Sequence, residues 1–341
     1  MLDLIKGKTI LITGGTGFLG IALTKELLKF NPKSIRLFSR DEVKHHKTQE
    51  VFENHPLLRN LIGDVRDYPR LLKATKGVDI VIHAAAFKRL DIMEYNVEEV
   101  IKTNILGTLN VVNASLENNV EKVIFISTDK ACSPVNTYGA CKFVSERIVT
   151  ETNYNKGNAK TIFTCVRYGN VLESTGSVIP FFENKIKAGL NIPLTHPEMT
   201  RFIITPNQAV DLIFNALRYG EGGEIFIPQL PSMKIVDLID ILKEKYGKPE
   251  LVAEVIGIRP GEKIHELMLN EAEISRTYKF NNLLIITSLI QKYQEGNASA
   301  IPYYIKEGKL LRLEEIKEYS SKDSVLPKEE VSKLLKSYGI V

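Results

Sequence analysis

Two groups of side chains in this sequence have the types and spacing of a proton-transfer site. Thr128, Asp129 and Lys130 follow an apolar, β-branched run, and Tyr138 and Lys142 come next, four residues apart. Residues four apart on a helix share one face, and an ammonium beside a phenol lowers the phenol's pKa. We therefore expect Tyr138 to remove a hydroxyl proton while Thr128 donates a hydrogen bond to the same oxygen. Such a pair is common on helix surfaces, but its position after a strand favours catalysis.

A glycine-rich turn follows the first predicted strand. Gly14, Gly17 and Gly20 have G-x-x-G-x-x-G spacing and precede an apolar helix. Such glycines let the backbone approach a pyrophosphate and let the helix pack close to the strand, while the helix N-terminus faces the negative charge. The turn predicts a nicotinamide dinucleotide site. Its other predicted cofactor contacts are Thr16, Phe18 and Leu19.

The end of the second predicted strand bears on the type of dinucleotide. Enzymes that use NAD usually place a carboxylate there, close to the ribose 2′-hydroxyl. Here Ser39 and Arg40 come first and Lys44 is near, so cations suited to a 2′-phosphate favour NADP. Asp41 keeps NAD open as an alternative, and Arg40 as an ordinary surface cation is a second alternative.

Further cofactor contacts are expected at the ends of the next two strands. Asp64 and Val65 stand where an adenine contact falls, although Asp64 has the alternative of simply making a turn. Asn104, in the helix that follows, is expected to hold a water or a main-chain carbonyl near Lys142, which with Tyr138 should contact the nicotinamide ribose. Three small residues should let the backbone run flat beneath the cofactor: Ala84, Ala85 and Ala86.

These motifs need a fold that brings the strand ends together. The N-terminal half alternates nearly continuous apolar strands with amphipathic helical stretches, which predicts an α/β, doubly wound parallel Rossmann sheet. Prolines break up the sequence beyond about residue 169, which predicts a smaller α/β lobe that binds the substrate. We assign 1–170 to the cofactor domain, with 203–227 packing back on it, and 171–202 and 228–341 to the lobe.

The composition argues against several classes of partner and site. Lys plus Arg number 45 against 41 Asp plus Glu, a formal charge of +4, and no basic block indicates a nucleic-acid partner. Cys132, Cys141 and Cys165 lack the spacing of a disulfide framework or a metal site, which fits a reducing compartment. No signal peptide or membrane-spanning run is recognisable. We expect a cytoplasmic protein without metal or membrane partner, assembled as a homo-oligomer.

The sequence resembles the UDP-N-acetylglucosamine 4,6-dehydratases, extended short-chain dehydrogenases of polysaccharide biosynthesis, over nearly its whole length. Tyrosine at 138, where larger membrane-bound relatives carry methionine, makes it similar to the configuration-inverting branch that opens pseudaminic-acid-type biosynthesis. The motifs that carry the resemblance are TGGTGFLG at 13–20, STDKA at 127–131, YGACK at 138–142, RYGNV at 167–171, GSVIPFF at 176–182, MTRF at 199–202 and RPGEK at 259–263.

The resemblance implies an NADP-dependent lyase that oxidises C4 of a UDP-sugar, eliminates water across C5 and C6, and returns the hydride to C6. It implies that Asp129 is the acid for the C6 hydroxyl and Lys130 the base for the C5 proton, which requires a raised pKa for Asp129 and a lowered one for Lys130. The NADP would stay bound and be recycled in each turnover. Residues implied to bind the UDP-sugar are Lys88, Asn170, Arg201, Arg259 and Glu262.

Other readings remain open. A UDP-sugar 4-epimerase would use Thr128, Tyr138 and Lys142 without Asp129 and Lys130, and a related dehydratase would retain the C5 configuration. A non-catalytic NADP-binding sensor would have little reason to keep both Tyr138 and Lys142. Arg259 also has the alternative of a surface ion pair with Glu262.

Overall fold

The computed structural model describes residues 2–172, 178–290 and 301–341, so the motif predicted at 176–182 lies partly outside the described residues. The strands are β1 (Thr9–Thr13), β2 (Ser34–Ser39), β3 (Leu58–Ile62), β4 (Ile80–His83), β5 (Lys122–Ile126), β6 (Ile162–Val166), β7 (Asn170–Val171), β8 (Ile192–Leu194), β9 (Thr200–Ile204), β10 (Ile225–Pro228), β11 (Ser232–Lys234), β12 (Ala253–Val255), β13 (Leu267–Leu269), β14 (Thr277–Phe280), β15 (Leu283–Ile286), β16 (Lys309–Leu310) and β17 (Tyr319–Ser320).

Helices connect these strands. The α-helices are α1 (Leu2–Ile5), α2 (Phe18–Leu28), α3 (Glu42–Val51), α4 (Tyr68–Thr75), α5 (Leu90–Met93), α6 (Val97–Val100), α7 (Gly107–Glu117), α8 (Thr137–Asn155), α9 (Val178–Lys187), α10 (Pro206–Tyr219), α11 (Ile235–Lys245), α12 (Glu271–Ile274), α13 (Tyr303–Glu307) and α14 (Lys328–Ser337). A π-helical segment, Ile101–Leu106, joins α6 to α7, and a 3-10 turn, Asp129–Ala131, follows β5.

The large sheet has the order β16-β14-β15-β10-β6-β5-β4-β1-β2-β3. From β3 to β10 all neighbours are parallel, and β15, β14 and β16 continue one edge antiparallel. All five residues of β1 are buried, as expected for a strand covered on both faces. The strand order moves outward from β1 in both directions, and right-handed crossovers then place helices on both faces. The predicted doubly wound Rossmann sheet is confirmed.

A second hydrophobic core lies apart from the one around the large sheet. Its buried members come from α9, α11 and α14 and from short strands, and they include Ile186, Leu238, Leu242, Val331 and Leu335. Helix α10, by contrast, packs against α2 and against strands β5, β6 and β10 of the large sheet. One part of the predicted division is wrong: β14 to β16 fall within 228–341 but extend the large sheet. Strand β15 is fully buried there, since its four apolar residues cover the edge of β10.

Candidate active site

The turn after β5 is held by buried hydrogen bonds. Ser127 Oγ donates to Glu146 Oε1 at 2.5 Å, and the Asp129 amide donates to the Tyr168 carbonyl at 3.0 Å. Arg167 is fully buried and pairs with Glu146 at 2.7 Å. A buried guanidinium with such partners fixes the neighbouring backbone, because moving any member would leave a charge unpaired.

Buried Asp129 and partly buried Lys130 form a cluster at the carboxyl end of β5. Asp129 Oδ1 accepts from Thr128 Oγ1 at 2.7 Å and from Lys130 Nζ at 3.0 Å, while Oδ2 is buried and has no hydrogen-bond partner among the described residues. Lys130 Nζ also lies 3.3 Å from Glu266 Oε1 and 3.4 Å from Asn170 Oδ1. Asp129 Oδ2 is therefore available as a hydrogen-bond acceptor.

The protonation of this pair agrees with the sequence prediction for only one member. Burial raises the pKa of Asp129, and the Glu266 carboxylate raises it further against the opposing effect of Lys130. The predicted lowering for Lys130 is wrong in this structure. Burial does lower the Lys130 pKa, but Asp129 and Glu266 outweigh it, so the pKa lies above its ordinary value.

Tyr138 and Lys142 lie one turn apart near the start of α8, and the structure corrects their predicted interaction. Lys142 is buried; its Nζ donates to the Ile126 carbonyl at 2.7 Å and lies 4.4 Å from the centroid of the Phe125 ring. Burial lowers the Lys142 pKa to about 8. Burial raises the pKa of Tyr138 to about 12, although Lys130 lowers it. The predicted lowering of the Tyr138 pKa by Lys142 is therefore wrong, because burial dominates and Lys142 binds a carbonyl instead.

The glycine turn between β1 and α2 fits a pyrophosphate. Gly14 has a φ of +70°, and a Cβ there would lie 2.9 Å from the Ala85 amide nitrogen. A Cβ on Gly20 would collide with the Gly15 carbonyl oxygen, so the backbone of α2 can approach the turn this closely only with glycine at position 20. Gly17 is the N-cap of α2, and within the described chain no side chain caps that first turn. Thr16, Phe18 and Leu19 complete this end of α2, whose N-terminus favours negative charge.

Hydrogen bonds join this turn to the end of β2. Ser39 Oγ lies 2.7 Å from Thr16 Oγ1 and 3.0 Å from His45 Nε2. The His45 ring is buried, and its Nδ1 lies 2.9 Å from Asn60 Oδ1. The hydroxyls predicted to contact the cofactor are thus brought together and oriented from α3 and β3.

Arg40 lies beside this hydroxyl pair with its side chain half exposed. Its guanidinium carbon is 5.0 Å from the centroid of the Phe87 ring, and Nη1 is 3.5 Å from Asp64 Oδ2. Asp41 instead caps α3, accepting a hydrogen bond from the Lys44 amide at 3.0 Å. The carboxylate that kept NAD open is therefore engaged with its own helix.

Other predicted cofactor contacts have mainly internal partners in this structure. Asp64 accepts from the Arg66 side chain at 2.7 Å, and Val65 is buried against Gly107. Asn104 lies in the π-helical segment. Its side-chain Oδ1 accepts a hydrogen bond from the Phe87 N–H at 2.8 Å, and its Nδ2 donates one to the Phe87 carbonyl at 3.0 Å. Asn104 thus fixes the backbone that follows Ala84, Ala85 and Ala86. The contacts of Asp64 and Val65 with adenine stay predictions.

Two of the predicted substrate residues line one small cavity in the lobe. Arg201 Nη1 donates to the carbonyls of Thr200 at 2.7 Å and Ile264 at 3.1 Å. Asn170 lies at the same cavity, and its Oδ1 lies 3.4 Å from Lys130 Nζ, so one residue that lines the cavity contacts the cluster. The remaining lining residues are apolar: Val171, Leu172, Val178, Ile179, Phe202 and Met233.

The other predicted substrate residues are placed differently. Arg259 is more than half exposed, and its Nη1 lies 3.9 Å from Glu262 Oε1, so the ion pair left open by the sequence is present. The loop that carries them contacts the turn after β5, because Lys263 Nζ donates a hydrogen bond to the Cys132 carbonyl at 2.7 Å. Burial and the nearby Lys44 lower the pKa of Lys88. Binding of the substrate by these residues stays a prediction.

Glu266 also belongs to this site, although it was not predicted from the sequence. This side chain is almost fully buried, with Oε1 beside Lys130 and 3.6 Å from Arg201 Nε. In the sequence Glu266 is visible only as an acidic residue three positions after Lys263, and only the fold brings it to the turn after β5.

Within the described ranges, no helix is long and apolar enough to cross a membrane. In the same residues, no group of three or more His, Cys, Asp or Glu side chains could hold a metal ion.

Comparison with known proteins places this site in a family. The model described as "Polysaccharide biosynthesis protein" matches residues 10–288. The chain belongs to this family. The match extends from β1 to beyond β15, so it covers the parallel part of the large sheet and much of the lobe.

Relatives within the family carry different names. A Campylobacter jejuni protein named UDP-N-acetylglucosamine 4,6-dehydratase (inverting) is 47% identical over 86% of this chain and 87% of its own. An uncharacterized membrane protein of Methanocaldococcus jannaschii is 44% identical over 94% and 97%. A UDP-glucose 4-epimerase of Rickettsia felis is 41% identical over 79% and 80%. The X-ray structure of Pen from Bacillus thuringiensis, 37% identical, superposes with a TM-score of 0.90 over 99% of both chains. The resemblance to the dehydratases is confirmed.

Proposed function

We propose that the chain is a UDP-N-acetylglucosamine 4,6-dehydratase that inverts the configuration at C5. The observation that carries the proposal is the buried pair Asp129 and Lys130, in which one carboxylate oxygen has no partner among the described residues. A 4-epimerase would use Thr128 and Tyr138 for oxidation but has no need for this acid–base pair. The 47% identical Campylobacter relative, named for the same reaction, supports the assignment.

We assign NADP as the cofactor. The glycine turn with its uncapped helix N-terminus suits the pyrophosphate, and the Arg40 guanidinium suits a 2′-phosphate. Asp41, the carboxylate closest in sequence to that point, caps α3 instead. When bound, the cofactor accepts a hydride from C4 and returns it to C6 within one turnover.

The chain's own residues move the protons. Tyr138 takes the proton of the C4 hydroxyl while Thr128 donates a hydrogen bond to the same oxygen, and the resulting 4-ketone acidifies the C5 proton. Lys130 takes the C5 proton, and Asp129, whose pKa is raised by burial, gives its proton to the C6 oxygen as the C6–O bond breaks. The loss of water gives a 4-keto-5,6-ene. Carbon 5 then regains a proton on the face opposite Lys130, from Tyr138 or a water it positions, which inverts the configuration.

The lobe would hold the UDP part. Asn170 and Arg201 line the small apolar cavity of the lobe, and the Arg201 guanidinium suits a diphosphate. Arg259, Glu262 and Lys88 would add contacts to the diphosphate and ribose as the lobe takes up substrate. These assignments rest on the resemblance and on the position of the cavity beside Lys130.

We further propose a homo-oligomer that works in the cytoplasm. Three free, buried thiols, Cys132, Cys141 and Cys165, agree with a reducing compartment. Light scattering of the purified protein measures its assembly, and a monomer would contradict the first part of this proposal.

The reaction is tested by giving the purified protein UDP-N-acetylglucosamine without added cofactor. Mass spectrometry should show the loss of one water, and proton NMR should show a 6-deoxy-4-ketohexose. A product of unchanged mass with inverted C4 would identify an epimerase. Tight NADP binding without any turnover would identify a sensor, and either result contradicts the proposal.

A further inference from the structure

Glu266 is held firmly in the buried cluster without a role in the steps above. Its amide donates to Ser321 Oγ at 2.9 Å, and its carbonyl accepts from the Ser321 amide at 2.8 Å. Only 4% of its side chain is exposed. Oε1 lies 3.3 Å from Lys130 Nζ, whereas Oε2 is buried and has no hydrogen-bond partner among the described residues. A buried carboxylate with a free oxygen is a site that can take up a proton.

The mechanism leaves one proton without a destination. Lys130 can take the C5 proton only as a neutral amine, yet beside the Glu266 carboxylate, 3.3 Å away, its ammonium form is stabilised. Asp129 touches the same ammonium at 3.0 Å but must keep its own proton to act as the acid. Among the described residues, Glu266 is the second carboxylate within ion-pair distance of Lys130, and only 4% of its side chain is exposed, against 1% for Asp129.

We infer that Glu266 is a positioning residue that takes the Lys130 proton when substrate binds, so that Lys130 meets C5 as a free amine. The inference rests on the proposed function. In this step an N–H bond of Lys130 breaks and an O–H bond of Glu266 forms, and the total charge of the pair is unchanged. A neutral pair is also cheaper to bury than two separated charges.

The same arrangement resets the site. After elimination Lys130 carries the C5 proton, Asp129 is ionised and Glu266 is protonated. Lys130 Nζ lies 3.0 Å from Asp129 and 3.3 Å from Glu266, so it can give a proton to the first and take one from the second. Asp129 is then protonated and Glu266 ionised, as at the start, and no proton has to cross the buried pocket from water.

Arg201 supplies the link to substrate binding. In this structure Lys130, Arg201 and Lys263 lower the pKa of Glu266 against the raising effect of burial. Arg201 lies 3.6 Å away and also binds two carbonyls, so it is only loosely paired with Glu266. When its guanidinium engages the substrate diphosphate, less positive charge acts on Glu266, whose affinity for the Lys130 proton rises. Asp129 and Tyr138 are further ionisable groups that act electrostatically on Lys130 or are acted on by it.

The test uses Glu266→Gln in the cofactor-loaded protein with UDP-N-acetylglucosamine. Reduction of the bound cofactor, read by absorbance, should stay within about 3-fold of the wild-type rate, while water loss and C5 exchange in deuterium oxide should fall at least ~100-fold. The residual elimination should rise steeply with pH, because Lys130 must now lose its proton to solvent. Glu266→Asp, which keeps the carboxyl group, should recover at least about 10-fold over the glutamine variant.

The controls separate this role from a structural one. Glu254→Gln, on the exposed surface of β12, should change neither step. Thermal unfolding reports whether each variant is folded. If Glu266→Gln is not folded, the test passes to Glu266→Asp, which must then lose elimination selectively and show an altered pH profile. Near-normal elimination, or equal loss of both steps in a folded variant, would overturn the inference. A wild-type protein that epimerises without losing water would instead defeat the proposed function.

Discussion

Replacing Arg40 by alanine tests how the protein distinguishes NADP from NAD. The guanidinium is 48% exposed, stacks on Phe87 and lies 3.5 Å from Asp64. A hydrogen bond to a charged group contributes about 1.5 to 3 kcal/mol, and solvent screening at a half-exposed side chain reduces this to about 1 to 2 kcal/mol. NADP binding should therefore weaken about 5- to 30-fold. NAD, which has no 2′-phosphate, should be affected by less than about 3-fold.

The assay is titration calorimetry of both dinucleotides into cofactor-stripped protein. Arg66→Ala is the matched control, because Arg66 pairs with the same Asp64 carboxylate at 2.7 Å but lies outside the predicted 2′-phosphate contacts. It should change NADP and NAD binding by equal factors. If Arg40→Ala weakens the two dinucleotides equally, Arg40 does not read the phosphate and the NADP assignment loses its basis.

Three further predictions test catalysis and stability. Tyr138→Phe should slow reduction of the bound cofactor on substrate addition at least ~100-fold; a near-normal rate contradicts its role as base. Lys130→Ala should abolish elimination and C5 exchange but leave slow C4 oxidation, and a variant that still loses water refutes the assignment. Buried His83 has a pKa of about 3 against 6.5 ordinarily, so stability present above pH 6.5 is lost as pH falls toward 3. Between pH 6.5 and about 4, the free energy of unfolding measured in urea should fall by about 3 kcal/mol more for the wild type than for His83→Gln. An equal fall in both proteins would contradict this prediction.

The sequence was most informative where local pattern decides the structure. Strand β2 ends at Ser39 and the glycine turn follows β1, both as expected, because both features depend on neighbouring residues. The turn after β5 was placed correctly for the same reason. Fold-level rules then determined that these strand ends meet at one edge of a parallel sheet.

Interactions between distant segments could not be predicted in the same way. Glu266 reaches Lys130 only because β13 and β17 pair beneath the turn, and no spacing in the sequence encodes that pairing. Asp129 and this second carboxylate together raise the pKa of Lys130 above its ordinary value, so the predicted lowering was wrong. Lys142 shares a helical face with Tyr138 as expected, but its ammonium binds the Ile126 carbonyl. Strands β14 to β16 were assigned to the lobe because sequence order alone does not show which sheet a late strand joins.

The configuration of the first product in deuterium oxide tests the central claim most directly. We propose that Lys130 removes the C5 proton from one face and that a proton returns from the other. Proton NMR recorded early in the reaction, before the product can enolise in solution, should show UDP-2-acetamido-2,6-dideoxy-L-arabino-hexos-4-ulose with one deuterium at C5. A first product that retains the D-configuration at C5, or that carries no deuterium there, would contradict the account.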